Sequence, residues 1–231
     1  MMRVAALILM ASPAVASDVF IPPVGCAGVV TVQSRSCEVD NIYTCTADTP
    51  GDSWRVSFDL DGPKFIGRID AETQWMESID LFPTRREVIE LPAADPASLS
   101  ELLATGTDAF DFNMRGDGGE VTRVVGFDQL TGEEVEIDGE TLLRTQFSAR
   151  YESTLTGETR IEGNEYVSPK LGRFLAGSYR FTGADGAVSE WANDPVEFIY
   201  PGEPGFFSKT PLYECEASLA RLIPIIKGDL R

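Results

Sequence analysis

Histidine is absent from this chain of 231 residues. The absence removes the commonest general base, the Ser–His and Cys–His nucleophile pairs, and histidine-ligated zinc or haem. No serine lies in a Gly-x-Ser-x-Gly elbow, and no lysine directly follows a glycine as in a phosphate-binding P-loop. The sequence therefore predicts no catalytic residue, no cofactor and no metal site, and it favours a protein that is not an enzyme.

Positive charge is scarce as well. The chain has 19 lysines and arginines against 37 aspartates and glutamates, which gives a formal net charge of −18 at pH 7. So much negative charge repels nucleic acid and anionic lipid surfaces. We therefore expect no nucleic-acid partner. An acidic module that binds another protein is one alternative function that this charge leaves open.

A run of apolar residues long enough to span a membrane as a helix, roughly 20 residues, is missing. The longest candidate lies at the N-terminus, where residues 1–16 combine Arg3, the apolar run Val4–Met10 and the small-residue pattern Ala14-Val15-Ala16. This order is typical of a secretory signal peptide cut before Ser17, with a buried N-terminal segment as the alternative. The sequence predicts a periplasmic or secreted protein without a transmembrane segment, whose partner is a hydrophobic small molecule or an envelope protein.

Only four cysteines are present: Cys26, Cys37, Cys45 and Cys215. In an exported protein four cysteines most simply form two disulfides. Three of them cluster near the start of the chain, so one bridge must tie that region to the C-terminal region. Of the three connectivities we favour Cys37–Cys45 across a hairpin centred on Asn41, with Cys26–Cys215 closing the long loop. A thiolate metal site or a catalytic cysteine is the weaker alternative, because there is no Cys-x-x-Cys pair.

Hydrophobic residues alternate with polar ones along much of the chain, as they do in half-buried strands. The alternating runs are Trp54/Val56/Phe58/Leu60, Phe110/Phe112/Met114, Leu143/Thr145/Phe147/Ala149/Tyr151 and Val196/Phe198/Tyr200. Turn sequences of hairpin size separate them. We predict a mainly β fold: a single antiparallel meander sheet that curls into a barrel or half-barrel, with one or two short helices packed on it. Residues 17–231 then form a single disulfide-bonded domain.

The turn at Asp138-Gly139-Glu140 decides the register of one hairpin. A three-residue loop places Val135 opposite Leu143 and keeps the apolar residues on one side, whereas a two-residue loop splits them between faces. Because a slip of one residue turns every side chain to the other face, we predict the three-residue loop.

Two helices are predicted from capping residues and helical spacing. The first begins at the N-cap candidate Asp95, has Pro96 in its first turn and ends at Gly106. Its apolar stripe consists of Leu99, Leu102 and Leu103. The second covers about residues 212–222. This layout is similar, at the level of architecture only, to the periplasmic lipoprotein carriers and the lipocalins, which implies a hydrophobic ligand held between sheet and helix.

Two charged residues, Arg123 and Glu77, share a strand face with apolar residues. A charge that points into an apolar layer is costly unless it is paired or wetted. Arg123 is therefore a candidate to bind the anionic head of a ligand whose tail lies on Phe110, Phe112 and Phe147, and Glu77 is a second ligand-facing candidate. Alternatively, the two charged side chains reach the surface or pair with each other.

The function predicted from the sequence is that of an exported, non-enzymatic binding or envelope-associated protein with a hydrophobic or amphiphilic ligand. A carboxylate-based hydrolase acting on glycans is an alternative, since Asp and Glu are the main catalytic route left without histidine. The row Glu134, Glu136, Asp138 and Glu140 would place carboxylates on one strand face. A solvent-exposed ladder is its plainer interpretation.

Overall fold

The computed structural model of the protein describes residues 19–216. The signal peptide predicted at residues 1–16 lies outside this range, as do residues 217–222 of the second predicted helix. Within residues 19–216, no helix is both long enough and apolar enough to cross a membrane.

One antiparallel sheet of 14 strands and one short helix make up the regular structure of residues 19–216. The strands are β1 (Cys26–Ser34), β2 (Glu38–Cys45), β3 (Ser53–Asp59), β4 (Gly62–Ile69), β5 (Trp75–Leu81), β6 (Thr84–Asp95), β7 (Thr107–Gly116), β8 (Val121–Ile137), β9 (Glu140–Ser153), β10 (Gly157–Ser168), β11 (Arg173–Leu175), β12 (Ser178–Thr182), β13 (Val188–Ala192) and β14 (Pro195–Ile199). The helix α1 spans Leu99–Thr105. The predicted fold class, a mainly β meander with a short helix, is confirmed.

The strand order departs from a simple meander at two places. Strands β1 to β10 follow one another as neighbours, but β11 folds back on the end of β10, so β12 pairs with β10. The last strand, β14, returns to pair with β1. Since β13 and β14 are the two ends of the order, the sheet is open and does not close into a barrel.

The sheet curls so that strands far apart in its order meet. The turn between β8 and β9 reaches β14, where the Phe198 backbone N–H donates to Asp138 Oδ2 at 2.8 Å. Trp75 of β5 stacks on Tyr151 of β9 with ring centroids 6.2 Å apart, although three strands lie between them in the sheet. One buried cluster joins the first two strands with later ones: Val30, Val32, Ile42, Leu142, Tyr166, Leu175 and Phe198. These contacts give the curled sheet an interior.

All four cysteines form disulfides, as predicted, but the favoured pairing is wrong. The bridges are Cys26–Cys45 and Cys37–Cys215. Cys26 and Cys45 are register partners in the β1–β2 ladder, and Asn41, predicted as a turn centre, lies buried inside β2. The turn between β1 and β2 is at residues 35–37 instead. Cys37 therefore remains for Cys215, and this bridge ties the early strands to the C-terminal region as expected.

The β8–β9 hairpin has a two-residue turn, so the predicted three-residue loop is wrong. Val135 pairs with Leu142, and the turn residues Asp138 and Gly139 have positive φ angles of 49° and 78°, as a type I′ turn requires. The apolar residues are split between faces because both faces of the hairpin are covered. Leu142 packs on the cluster of β1 and β14 residues, and Leu143 packs against the α1 cluster.

Helix α1 begins three residues later than predicted. Ser98 is its N-cap, and the Ser98 Oγ accepts a hydrogen bond from the Glu101 backbone N–H at 3.2 Å. Asp95, the predicted cap, is the last residue of β6. The predicted end of the helix is confirmed, since Gly106 forms a left-handed C-cap with φ 86°.

Replacing Ser98 by alanine is expected to lower the free energy of unfolding by about 1 kcal/mol, because one N-terminal N–H of α1 loses its acceptor. Asp95→Ala is the matched control, with an expected change below about 0.5 kcal/mol. Urea unfolding of the two variants measures both values. Equal losses in the two variants would contradict the assignment of Ser98 as the cap.

Candidate ligand-binding cavity

A cavity of about 600 Å³ lies in the interior of the curled sheet. One wall comes from β2 to β5 and the other from β7 to β12. Its apolar surface is largely aromatic, with contributions from Phe65, Trp75, Phe110, Phe112, Phe147, Tyr151, Phe174 and Tyr179. A volume of this size is within the range of roughly 300–1,000 Å³ in which proteins bind small molecules.

The three phenylalanines singled out from the sequence all line this cavity. Phe110 and Phe112 lie on the inner face of β7 with ring centroids 5.9 Å apart, and Phe147 lies on β9. Trp75 from the opposite wall packs edge-on against Phe112 at a centroid distance of 5.6 Å. The alternation of β7 and β9 brings these rings together, because every second side chain of a strand faces the same side.

Arg123 does not line the cavity, so the ligand-facing role predicted for it is not supported by its position. Its side chain is exposed on the outer face, where Nε and Nη2 bind the two carboxylate oxygens of Asp111 at 2.8 and 2.5 Å. The inner face of β8 is formed by the even-numbered residues, among them the buried Thr122, Val124 and Asp128. Both faces of β8 carry apolar residues, and only the curl of the sheet decides which face is inside.

Glu77 does line the cavity, but it has partners. Its Oε1 accepts a hydrogen bond from Arg86 Nε at 2.8 Å, and its Oε2 lies 3.9 Å from Arg68 Nη2. Arg68 also binds Asp52 at 2.7 Å. These groups neutralise one another, so Glu77 has no unmet charge to offer a ligand.

Arg173 is a buried cation of the cavity that the sequence did not reveal. It is 4% exposed and forms no ion pair with a carboxylate of residues 19–216. Its one hydrogen bond there is a long one, 3.5 Å from Nη1 to Ser53 Oγ, and its Nε has no partner. Burial and the nearby Arg55 lower the pKa of Arg173 to about 10. The three-residue strand β11 shows no alternation, so the only sequence clue was an arginine among Leu171, Phe174 and Leu175.

Arg55 lies in the same part of the cavity, but its charge has partners. Its Nη1 is 3.8 Å from Asp40 Oδ2, and its guanidinium lies over the Phe65 ring, 5.0 Å from the centroid. Lys64 likewise forms an ion pair with Glu38. The contrast with these paired cations makes Arg173 the group most in need of an anion.

Two acids, Asp128 on β8 and Glu165 on β10, also face the cavity, and the sequence analysis did not select them. Neither has a hydrogen bond or an ion pair with any of residues 19–216. Burial, and second the charge of Asp108, raises the pKa of Asp128 to about 7. Burial, and second the charge of Asp128, raises the pKa of Glu165 to about 8. Asp128 shares its parity with the buried Thr122 and Val124 of β8, which is the sequence signal for its inward position; Glu165 on β10 has no such signal.

The acidic row considered for glycan hydrolysis lies away from this cavity. Glu134 and Glu136 are exposed, Asp138 accepts a hydrogen bond from the Phe198 backbone, and Glu140 binds Lys170 and Tyr200. None of the four lines the cavity. Within residues 19–216, no three acidic or cysteine side chains are placed to hold a metal ion.

Comparison with known proteins gives no relative from which a ligand could be transferred. No protein-family model, curated protein or solved structure matches this chain.

Proposed function

We propose that this protein is an exported, non-enzymatic binding protein whose cavity holds a small amphiphile, with an anionic group at Arg173 and the apolar part on Phe110, Phe112 and Phe147. The observation that carries this proposal is the buried Arg173 guanidinium, which has no carboxylate partner among residues 19–216 and lines an aromatic cavity. The phenylalanines keep the role predicted from the sequence, and Arg173 takes the role predicted for Arg123.

The buried Arg173 is unfavourable for the empty protein, because it forms no ion pair within residues 19–216 and only the more distant charge of Asp40 acts on it favourably. Removing a charge from water costs several kcal/mol unless an opposite charge or hydrogen bonds replace the water. A carboxylate, sulfonate or phosphate fits the planar guanidinium through two parallel hydrogen bonds. Binding of such a group offsets the desolvation cost of burying Arg173. Contact of the ligand's tail with the aromatic walls adds hydrophobic stabilisation.

Export is the second part of the proposal. It is supported by the charge, apolar run and small residues of positions 1–16 and by the pairing of all four cysteines in disulfides, which persist in oxidising compartments such as the bacterial periplasm. Fractionation of the producing cells, with the N-terminal residue of the recovered protein sequenced, tests it. We expect the protein outside the cytoplasm and beginning at Ser17.

Octanesulfonate is a suitable first probe, and octanol is its uncharged counterpart. By isothermal titration calorimetry, Arg173→Met is expected to weaken octanesulfonate binding about 10- to 100-fold, because a charge-assisted hydrogen-bonded pair is lost. Octanol binding should stay within a factor of two or three. The variant without ligand should unfold at the same or a higher urea concentration than the wild type, since it no longer buries an unpaired charge.

Arg123→Met is the matched control, since it removes the same charge from the outer face, where Arg123 binds Asp111. It should leave the affinity for octanesulfonate unchanged. Unaltered octanesulfonate affinity in Arg173→Met, or no binding of octanesulfonate to the wild type, would overturn the proposed function.

A further inference from the structure

Asp128 and Glu165 stand on either side of β9 on the inner face of the sheet. In the β8–β9 ladder Asp128 is opposite Phe147, and in the β9–β10 ladder Glu165 is opposite Thr145. Asp128 is 8% exposed, and its carboxylate contacts no donor of residues 19–216. Thr145, which is opposite Glu165 and fully buried behind the cavity lining, has an Oγ1 that finds no partner among residues 19–216. The cavity wall formed by β8 and β10 therefore holds two carboxyl groups that no described residue of the protein satisfies.

Aromatic rings adjoin these acids. Tyr151 lies within electrostatic range of both Asp128 and Glu165, and its ring stacks on Trp75 at a centroid distance of 6.2 Å. Trp75 in turn packs against Phe112 at 5.6 Å. Carboxylates combined with the faces of tryptophan and tyrosine form the surroundings in which proteins bind ammonium and quaternary ammonium groups.

The unpaired acids and the unpaired Arg173 occupy one cavity without meeting. The charge of Arg55 acts on both Glu165 and Arg173, and Arg55 itself forms an ion pair with Asp40. In the β10–β11 ladder Arg173 is opposite Ser168, three residues along β10 from Glu165, and no ion pair within residues 19–216 joins Arg173 to either acid. A single molecule that carries both charges would neutralise the two ends of the cavity together.

We infer that the ligand of this cavity is a zwitterionic amphiphile, whose ammonium or quaternary ammonium group lies against Asp128, Glu165 and the Trp75–Tyr151 rings while Arg173 holds its anionic group. This inference rests on the proposed function and extends it, because an anion alone would satisfy Arg173 and leave the acids without a partner. A cation alone would do the reverse. The class includes alkyl betaines, alkyl sulfobetaines and alkyl phosphocholines.

Three probes with the same octyl tail separate these cases: octanesulfonate, octyltrimethylammonium and octyl sulfobetaine. Titrations of the full-length protein are made at pH 8.5, above the pKa of about 7 of Asp128 and of about 8 of Glu165. We expect the sulfobetaine to bind at least 10-fold more tightly than either singly charged probe. In the double variant Asp128→Asn/Glu165→Gln this advantage over octanesulfonate should disappear, and octanesulfonate itself should bind as well as before or better.

The matched control is Glu134→Gln/Glu136→Gln, which removes two exposed acids outside the cavity. It should preserve the 10-fold preference. Octanesulfonate that binds wild type as tightly as the sulfobetaine would overturn the inference while leaving the proposed function in place. Failure of octanesulfonate to bind the wild type would overturn the proposed function and, with it, this inference. Since the wild-type comparison alone decides between these outcomes, the test does not depend on the double variant folding.

Discussion

The double variant Cys37→Ser/Cys215→Ser is expected to lose about 5 kcal/mol of its free energy of unfolding, and Cys26→Ser/Cys45→Ser about 3 kcal/mol. The difference follows from the sequence separations of 178 and 19 residues, because a bridge that closes a longer loop removes more conformational entropy from the unfolded chain. Urea unfolding of both variants, monitored by circular dichroism, gives the two values. Each variant serves as the control for the other, since each removes one bridge and leaves the other in place.

The native contacts around the longer bridge explain why the variant should still fold. The Cys37 backbone N–H donates to Tyr213 O at 2.9 Å, and the Gln33 side chain both donates to Thr210 O and accepts from the Leu212 N–H. The segment that carries Cys215 is therefore also held by hydrogen bonds to the first strands. Equal losses of stability in the two double variants would show that loop length does not set the contribution of these bridges.

Between pH 5 and pH 8 the wild-type protein is expected to become less stable, and Asp128→Asn is expected to remove much of that decline. The pKa of Asp128 in the folded protein, about 7, lies above its ordinary value of 3.8. Between pH 3.8 and pH 7, Asp128 is deprotonated in the unfolded chain but keeps its proton in the folded protein. Stability from this group is therefore complete below pH 4 and falls as the pH rises toward 7. Glu165, with a pKa of about 8 against 4.5, extends the decline in the same direction.

The expected size for Asp128 is roughly 3 kcal/mol between pH 5 and pH 8, since each pH unit between the two pKa values contributes about 1.4 kcal/mol. Urea midpoints and slopes measured at each pH unit give the curve. Glu136→Gln, an exposed acid on the same strand, should follow the wild-type curve. Parallel curves for Asp128→Asn and wild type would mean that Asp128 is ionised in the folded protein at neutral pH.

Other acids act in the opposite direction at lower pH. Hydrogen bonds from Ser100 lower the pKa of Glu72, and Arg123 lowers that of Asp111. The stability from these groups is present above their ordinary pKa values and is lost as the pH falls through the lowered ones. The two sets together place the pH of greatest stability on the acidic side of neutrality.

The strands were predictable because local alternation suffices for them. In β7, Phe110, Phe112 and Met114 face inward as their period of two indicated. The pairing of cysteines was not predictable in the same way, because it depends on where the chain turns. Asparagine is common in turns, but Asn41 lies inside β2. There its side chain accepts a hydrogen bond from Thr31 on the neighbouring strand and donates one to Ser208 in the C-terminal segment.

The site was half predictable for a related reason. Periodicity assigns the aromatic residues to one face, but it does not say which face of a strand becomes the interior when both carry apolar residues. Arg123 and Asp128 lie on opposite faces of β8, and the curl of the sheet encloses the face of Asp128. Arg173 depends on a chain reversal after β10 that brings it beside Ser53 of β3, a contact between residues far apart in sequence that no local pattern encodes.

The return of β14 to β1 has a consequence for how the molecule reaches its final form. The first strand receives its second neighbour only when residues 195–199 are available, so the structure cannot be completed progressively from the N-terminus as the ribosome releases the chain. This one pairing joins residues far apart in sequence and forms more slowly than the hairpin pairings of the rest of the sheet. Until β14 has been made, the sheet lacks this pairing, and a chain that is not yet completely folded remains able to thread through a secretion channel, which accords with the proposed export.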